Sequence, residues 1–321
     1  MRGWRYRSGI GLAGLLLVLL VRGSAAPAQV PATSSAMGLP ADHEPISPIP
    51  QPPQSDPRKV ALGEHLFGDP RLSRSGSVTC LSCHDIRGNG ATNHPFDSIA
   101  GGAEPTFNTS TVFNAALSFR LNWYGDVRTL EDQAVRALTD PRSMATSIEA
   151  DLQVLRHDQD LRQQFESAYG HGPDRASLLD AIATYERSLL TPDSAFDRWL
   201  RGDRGALSPE ALSGYRLFKS FGCVSCHQGV NVGGNLFERS GVFHKLASDQ
   251  VVILRVPSLR NVAVTAPYFH DGSAPTLEVA VSRMGYAQLN RTLSDADIHA
   301  IVAFLDSLTG VYRGRTVTAP P

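Results

Sequence analysis

Apolar residues recur at helical spacing along most of the chain, which predicts a mainly α-helical protein. Leu130, Ala134 and Leu138, for example, follow one another at intervals of four residues. Ser208 followed by Pro209 marks a helix start, because serine caps a helix and its first turn tolerates proline. We expect helices over residues 56–68, 128–138, 175–190, 208–221 and 294–310.

Strand and turn signals divide the rest of the chain. The stretch "VVILRV" (251–256) is the best candidate strand, and it is short. Glycine clusters at 88–90 and 233–234 predict loops. A polar, glycine-containing stretch at 198–210 is the expected domain boundary, which gives two α-rich domains over 58–202 and 203–321.

The first residues are typical of an export signal. Three arginines precede an uncharged run of 13 residues (9–21), and Ala26-Pro27-Ala28 follows as a small-residue cleavage site. Because a bilayer span needs roughly 20 residues, an uncleaved anchor is the less favoured alternative. We predict a signal peptide over 1–28 and a protein in the periplasm. Residues 29–57 are rich in Pro, Ala and Ser and predict an extended linker with little to bury.

The formal net charge of −1 excludes one class of function. No basic field is available to attract a polyanion, so we expect no nucleic-acid partner.

The four cysteines form two Cys-x-x-Cys pairs, each followed directly by a histidine. The two motifs are Cys80, Cys83 and His84, and Cys223, Cys226 and His227. A zinc site would not need a histidine after each pair, and a thioredoxin-like dithiol needs only one pair beside a βαβ pattern that the sequence lacks. Cysteines three apart lie on one face of a helical turn and can form thioethers to both haem vinyl groups, while the histidine binds iron. We predict two covalently bound haem c groups.

The ligand on the opposite face of each iron is not decided by the pattern. A methionine there raises the reduction potential and suits electron transfer. Beyond the signal and linker the chain has two methionines, Met144 and Met284. Met284 shares a helical face with Leu277 and Val281, so spacing alone favours a core residue, as it does for Met144.

Ordered blocks between residues 55 and 312 resemble the bacterial dihaem cytochrome c peroxidases and the related MauG proteins. They include "LGEHLFGDPRLSRSGSVTCLSCHD", "GYRLFKSFGCVSCHQGVNVGG" and "VPSLRNVAVTAPYFHDGSAPTLEVAV". The resemblance implies two cytochrome c-like haem domains, the first haem peroxidatic and the second the entry point for electrons. It also implies that Met284 is the axial ligand of the second haem. MauG has a tyrosine at that position, so methionine favours the peroxidase branch.

The resemblance assigns further residues. Trp123 matches a tryptophan between the two haems, and Gln133 matches a glutamine over the open face of the first haem. Three residues match the surroundings of an interdomain calcium ion, two of them through backbone carbonyls: Asn108, Thr265 and Pro267. His270 matches a position near the haems, with a structural role as the alternative.

Two departures from the family affect the first haem. The family's glutamate falls at Ser143, and a serine hydroxyl is a poor base, whereas general acid–base catalysis contributes roughly 10²- to 10⁴-fold. Glu149 could replace it only if the loop brings it over the iron. The family's removable histidine is missing near residues 98–105, which would leave the first haem five-coordinate. His94 is a nearby candidate ligand, although a surface loop histidine is favoured.

The resemblance implies a peroxidase that reduces hydrogen peroxide to water. The electrons would come from a small donor protein, a cytochrome c or a cupredoxin, and the family suggests a homodimer. Two alternatives stay open. A MauG-like oxidase of a protein or organic substrate is compatible with the changed pocket, and a non-enzymatic dihaem electron carrier is favoured by the missing glutamate.

Overall fold

A computed structural model describes residues 44–97, 107–246 and 251–320, and these residues are mainly α-helical, as predicted. The helices are α1 (Pro57–Phe67), α2 (Leu130–Thr139), α3 (Ile148–His157), α4 (Gln159–Tyr169), α5 (Arg175–Ser188), α6 (Ala195–Leu200), α7 (Pro209–Ser220), α8 (Leu277–Leu289) and α9 (Asp295–Asp306). Two antiparallel pairs of short strands complete the described part: β1 (Phe237–Arg239) with β2 (Ile253–Arg255), and β3 (Val311–Tyr312) with β4 (Arg315–Thr316). The predicted signal peptide lies outside the described residues.

All five predicted helices are present, and the one expected to end at Gly310 ends earlier, at Asp306. The Gly310 amide instead donates to Asn261 Oδ1 at 2.9 Å, so its backbone bonds to another segment. The short helices α3, α4 and α6 were not predicted. Asp158 ends α3 and at the same time caps α4, accepting from the Leu161 amide, so the two helices follow one another without a loop.

Each half of the molecule contains a pair of helices that approach closely at a glycine. A Cβ atom on Gly63 of α1 would lie 2.1 Å from the Ala181 carbonyl oxygen of α5. A Cβ atom on Gly214 of α7 would lie 1.7 Å from the Ala300 carbonyl oxygen of α9. Both helix pairs therefore require glycine at the crossing. A large apolar core surrounds each pair.

The first described residues of the expected linker, 44–49, are packed, contrary to the expectation that it has little to bury, whereas residues 50–54 are exposed as expected. Ile46 and Ile49 are 1% and 2% exposed, and Ile46 belongs to the core around α7 and α9. The Glu44 carboxylate accepts hydrogen bonds from Tyr215 (2.7 Å) and Lys219 (2.9 Å). Two isoleucines at a spacing of three give this proline-rich stretch an apolar side that composition alone concealed. We refer to residues 44–49 as the strap.

Packing crosses the expected boundary between residues 202 and 203 in both directions. Phe196 and Trp199 of α6 lie in the core around α7 and α9. Near the other end of the chain, Val317 packs with Phe67 and Tyr185, beside α1 and α5. The two halves are thus tied together by exchanged segments. No helix in the described ranges is long and apolar enough to cross a membrane.

Candidate haem-binding site

The two Cys-x-x-Cys-His motifs fold into the same local structure. Each starts with a short 3₁₀ turn, Cys80–Ser82 in the first motif and Cys223–Ser225 in the second. In both, the amide of the motif histidine donates to the carbonyl oxygen of the first cysteine at 2.9 Å. The predicted turn, which places both cysteines and the histidine around one point, is confirmed.

The two motif histidines are held as iron ligands require. His84 Nδ1 lies 3.1 Å from the Gly90 carbonyl oxygen, and His227 Nδ1 lies 3.2 Å from that of Val232. A carbonyl can only accept, so Nδ1 carries the proton and Nε2 keeps its lone pair for a metal. Burial lowers the pKa of both rings, that of His227 to about 4, so both are neutral at neutral pH.

The four cysteine thiols are free and have high pKa values. Burial raises the pKa of Cys80 to about 12 and that of Cys223 to about 11. A redox-active dithiol depends on a lowered thiol pKa, which neither motif has. Within the described ranges, no cluster of three or more histidine, cysteine or acidic side chains is arranged to hold a metal ion. The donor sets fit covalent haem attachment better than the zinc or dithiol alternatives.

Both motifs face one continuous cavity of about 710 Å³. Its lining includes all four cysteines and both motif histidines. Ligand pockets typically measure roughly 300–1,000 Å³, so this space is large enough for a large cofactor. The cavity brings two anchoring sites that are far apart in sequence into a single site.

Several residues predicted from the family resemblance meet at this cavity. Trp123 Nε1 donates to the Asn108 carbonyl oxygen at 2.8 Å. The Trp123 ring meets the His270 ring edge-on with centroids 6.2 Å apart, and Phe107 lies 5.9 Å from His270. His270 is buried and its carbonyl oxygen accepts from the Asn108 amide at 2.8 Å. Trp123 is therefore fixed by its indole N–H and by aromatic neighbours.

The three residues expected around a calcium ion, Asn108, Thr265 and Pro267, all line the cavity. The Asn108 side-chain amide donates to the carbonyl oxygens of His94 (3.0 Å) and Pro95 (3.2 Å). Its Oδ1 atom has no donor among the described residues. Amide and backbone carbonyl oxygens are the kinds of donor that calcium binds.

Gln133 and Ser143 line the part of the cavity that residues of the first half of the chain form. Gln133 projects from α2, and Ser143 follows in a turn where its amide donates to the Asp140 carbonyl oxygen at 2.9 Å. Two ion pairs also line this part: Arg136 with Asp126, and Arg142 with Asp140 at 2.8 Å. The pocket that should receive a small polar substrate is thus lined by an amide, a hydroxyl and paired charges.

The two replacement candidates lie elsewhere. Glu149 is exposed on α3 and does not line the cavity. His94 is exposed and also lies outside the lining. The stretch 98–105, where the family's removable histidine is missing, lies outside the described residues.

The two methionines occupy different environments. Met144 is 4% exposed in the core around α1 and α5, as its spacing suggested. Met284, on α8, is half-buried and lines the cavity together with Leu277 and Val281. Its helical face therefore borders the cavity, and its role as an axial ligand stays a prediction.

Two buried ionisable residues of the cavity were not predicted. Glu186 of α5 is 6% exposed, and its Oε2 atom has no hydrogen-bond partner among the described residues. Burial raises the pKa of Glu186 to about 8, so its carboxyl group is protonated at neutral pH. A signal was present, because Glu186 continues the apolar stripe of Leu178 and Ile182 at intervals of four. Arg255 is the other residue, a lone charge within "VVILRV".

Known proteins match both halves of the chain. Residues 57–205 match the family described as di-haem cytochrome c peroxidase, and residues 211–309 match the cytochrome c family. Cytochrome c peroxidase Ccp of Escherichia coli (strain K12) is 40% identical over 84% of this chain, which spans 62% of the length of that relative. Cytochrome c551 peroxidase of Nitrosomonas europaea is 37% identical over 86% of this chain and 87% of its own.

Solved structures agree with these matches. The crystal structure of a MauG-like protein associated with microbial copper homeostasis superposes with a TM-score of 0.70 at 26% identity. The alignment covers 82% of this chain and 93% of that protein.

Proposed function

The chain belongs to the di-haem cytochrome c peroxidase family, and from that premise we propose that it reduces hydrogen peroxide to water. The reaction consumes two electrons and two protons for each peroxide and yields two water molecules. The electrons would come from a small periplasmic donor protein, a cytochrome c or a cupredoxin. One observation carries the proposal: both haem-attachment motifs and Gln133 face the same cavity.

The chain's own residues would hold two haem groups in this cavity. The cysteines of each motif would form the thioether bonds, and Nε2 of His84 and of His227 would bind the irons. Bound in this way, the two haems would supply one-electron redox chemistry and a site for peroxide at iron. The Nδ1–H bonds to Gly90 and Val232 orient the two rings and increase the basicity of Nε2.

Peroxide would be held at the first-motif end of the cavity. The Gln133 amide can donate to one peroxide oxygen and accept from the other, and the Ser143 hydroxyl can donate a second hydrogen bond. Neither group titrates near neutral pH, so they orient the substrate without supplying its protons. Glu186 holds a proton within the same cavity at neutral pH.

Electrons would enter at the second haem, which Met284 would help to hold, and pass near Trp123. The Trp123 ring is fixed by its bond to Asn108 and by its contact with His270, which supports a stationary bridge between the motifs. Electron transfer past a fixed ring requires little rearrangement of the protein around it.

Stopped-flow oxidation of the half-reduced holoprotein by hydrogen peroxide, with reduced cytochrome c as donor, tests this function. Fast and repeated oxidation of the donor is expected. Gln133→Ala should slow it, whereas Gln163→Ala, an exposed change on α4, should not. Slow bleaching of the haem absorbance without donor oxidation would contradict both enzymatic functions and leave an electron carrier.

A second candidate is a MauG-like oxidase of a protein or organic substrate. Ser143 at the glutamate position favours it. The 26% identical structure of a MauG-like protein lends it further support. In the same experiment, rapid reaction with peroxide combined with slow oxidation of the donor protein would favour this candidate.

We also propose one calcium ion at Asn108, Thr265 and Pro267, and a homodimeric assembly. The Asn108 backbone bonds to Trp123 and His270, so losing the ion should loosen the bridge between the motifs. Treatment with EGTA should lower turnover severalfold, and added calcium should restore it. Asn108→Ala should make the protein insensitive to EGTA, while the exposed Asn235→Ala change should leave the response intact.

A further inference from the structure

Arg255 is a buried cation without an anionic partner in the part of the chain that the structure describes. It lies on β2, is 7% exposed and lines the cavity. Its Nε–H donates to the Asn122 carbonyl oxygen at 3.1 Å, and its backbone N–H donates to that of Trp123 at 2.8 Å. Its Nη1 atom has no hydrogen-bond partner among the described residues. One edge of the guanidinium is fixed, and the other is left without a partner.

A second buried arginine, Arg260, differs from Arg255 in that a carboxylate pairs with it. Arg260 is 1% exposed, and its Nη1 atom lies 2.9 Å from Asp197 Oδ1, with both side chains fully buried. Its remaining N–H groups donate to the carbonyl oxygens of Ser47 and Val230, each at 2.8 Å. Every nitrogen of this guanidinium is therefore satisfied.

No carboxylate of the described chain pairs with Arg255 in the same way. The carboxylate next to it on the hairpin, Glu238, accepts from the Arg239 amide at 2.7 Å. Burial without an opposing charge lowers the pKa of Arg255, yet an arginine stays protonated in proteins. Burying an unpaired charge is strongly unfavourable, so we expect an anion to bind at Arg255.

The position of Arg255 relates it to the second motif. A Cβ atom on Gly234 would lie 3.7 Å from Arg255 Nη1, and a Cβ atom on Gly233 would lie 3.4 Å from His227 Nδ1. The guanidinium and the histidine ring thus flank two adjacent residues of one loop. Both side chains also line the cavity, so a large group held at Nε2 of His227 shares that space with the free edge of Arg255.

We propose that Arg255 binds a propionate carboxylate of the haem attached at Cys223 and Cys226. This inference rests on the proposed function, because it requires that haem. Haem carries two propionates, and the planar guanidinium fork matches a carboxylate. A positive charge beside the second haem disfavours its oxidised, more positive state. Arg255 therefore raises the reduction potential of the haem that receives electrons from the donor.

Redox titration of the holoprotein tests the assignment, with each haem followed by its own absorbance band between pH 6 and pH 9. Mass spectrometry first counts two haems per chain, and their absence would overturn the proposed function itself. Arg255→Gln should lower the potential of the second haem and make it fall with rising pH, because the released propionate then titrates. Arg255→Lys keeps the charge and should restore most of the potential.

Arg216→Gln is the matched control, since it removes the same charge from an exposed position of α7 outside the cavity lining and should leave both potentials unchanged. Unchanged potentials in Arg255→Gln would overturn the inference, and a shift confined to the first haem would overturn its assignment to the second. If Arg255→Gln fails to mature, resonance Raman spectra of the wild-type protein and Arg255→Lys decide the question. The propionate bending band should differ between them, and identical bands would count against the contact.

Discussion

Ser143 occupies the position at which proton transfer to peroxide is expected. Its hydroxyl lines the cavity beside Gln133, and the paired carboxylates of Asp126 and Asp140 are engaged by arginines. The lowered pKa of Asp140, caused by its bonds to Arg142, keeps that group ionised and unable to donate a proton. The cavity thus offers a bound peroxide no free acid at this position.

Ser143→Glu should raise the rate of peroxide reduction at least about 10-fold, because a positioned general acid–base contributes roughly 10²- to 10⁴-fold. The rate of haem oxidation by peroxide, measured from pH 5 to pH 8, should gain an inflection from the new carboxyl group. Ser143→Ala should have a much smaller effect. A rate that falls in Ser143→Glu would indicate that this chain uses a different proton donor.

Glu186 makes folding stability depend on pH. Its folded pKa of about 8 lies above the ordinary value of 4.5, so the unfolded chain loses this proton at lower pH than the folded chain does. The contribution of Glu186 to the free energy of unfolding is fully present below pH 4.5 and is lost as the pH rises through 8. The loss is on the order of 4 kcal/mol. Glu186→Gln should remove that loss.

Urea unfolding at pH 5 and at pH 9 gives two free energies of unfolding, and their difference measures this loss. The difference should be much smaller in Glu186→Gln than in the wild-type protein. The comparison between the two pH values cancels any constant cost of burying the amide. Glu166→Gln, at an exposed position of α4, should behave like the wild-type protein. An equally steep pH dependence in Glu186→Gln would show that another group is responsible.

At the scale of elements, the strap joins the start of the described chain to the second core. Ile46 is 1% exposed among core residues, and Ile49 donates its amide to Asp197 Oδ1 at 3.1 Å. Ile46→Ala should lower the free energy of unfolding by about 2–4 kcal/mol, because it leaves a cavity in a packed core. Guanidinium unfolding of the wild-type protein and the variant measures this difference in the free energy of unfolding.

Gln51→Ala is the control for the strap. Gln51 is exposed and bonds only to Asp193 at 3.2 Å, so its truncation should change stability by less than about 0.5 kcal/mol. Equal effects of the two changes would mean that the strap is not part of the cooperative core.

Local sequence signals predicted the elements that carry the cofactor motifs. Ser208 and Pro209 start α7 as expected, with the Ser208 hydroxyl accepting from the Ala211 amide at 3.0 Å. The Cys-x-x-Cys-His spacing likewise predicted a turn, because its geometry involves only neighbouring residues. Glu186 and Arg255 were missed, since their importance depends on a cavity made by segments that are distant along the chain.

At the scale of the whole molecule, exchanged segments couple the two haem domains. Arg313, near the end of the chain, pairs with Glu64 of α1 at 2.7 Å, while α6 packs with the second core. The spacing of apolar residues could not predict these contacts, because the residues on both sides of each contact also fit an ordinary surface or helix pattern. The fold class was therefore predictable and the interdomain packing was not.

This coupling predicts a single unfolding transition for the full chain. Tryptophan fluorescence and haem absorbance, both recorded during guanidinium unfolding, should give the same midpoint. Two separated transitions would show that each domain is stable without the exchanged segments. Glu64→Gln should lower the shared midpoint only slightly, because the Arg313–Glu64 pair is exposed.

The position of the strap in the sequence determines when its contacts can form during synthesis. Glu44 and Ser47 are made before either haem domain, but their hydrogen-bond partners Tyr215 and Arg260 come 171 and 213 residues later. The bond between the strap and Arg260 therefore cannot form until the ribosome has completed both attachment motifs. The full set of strap contacts is therefore completed late, after both haem-binding segments have been made.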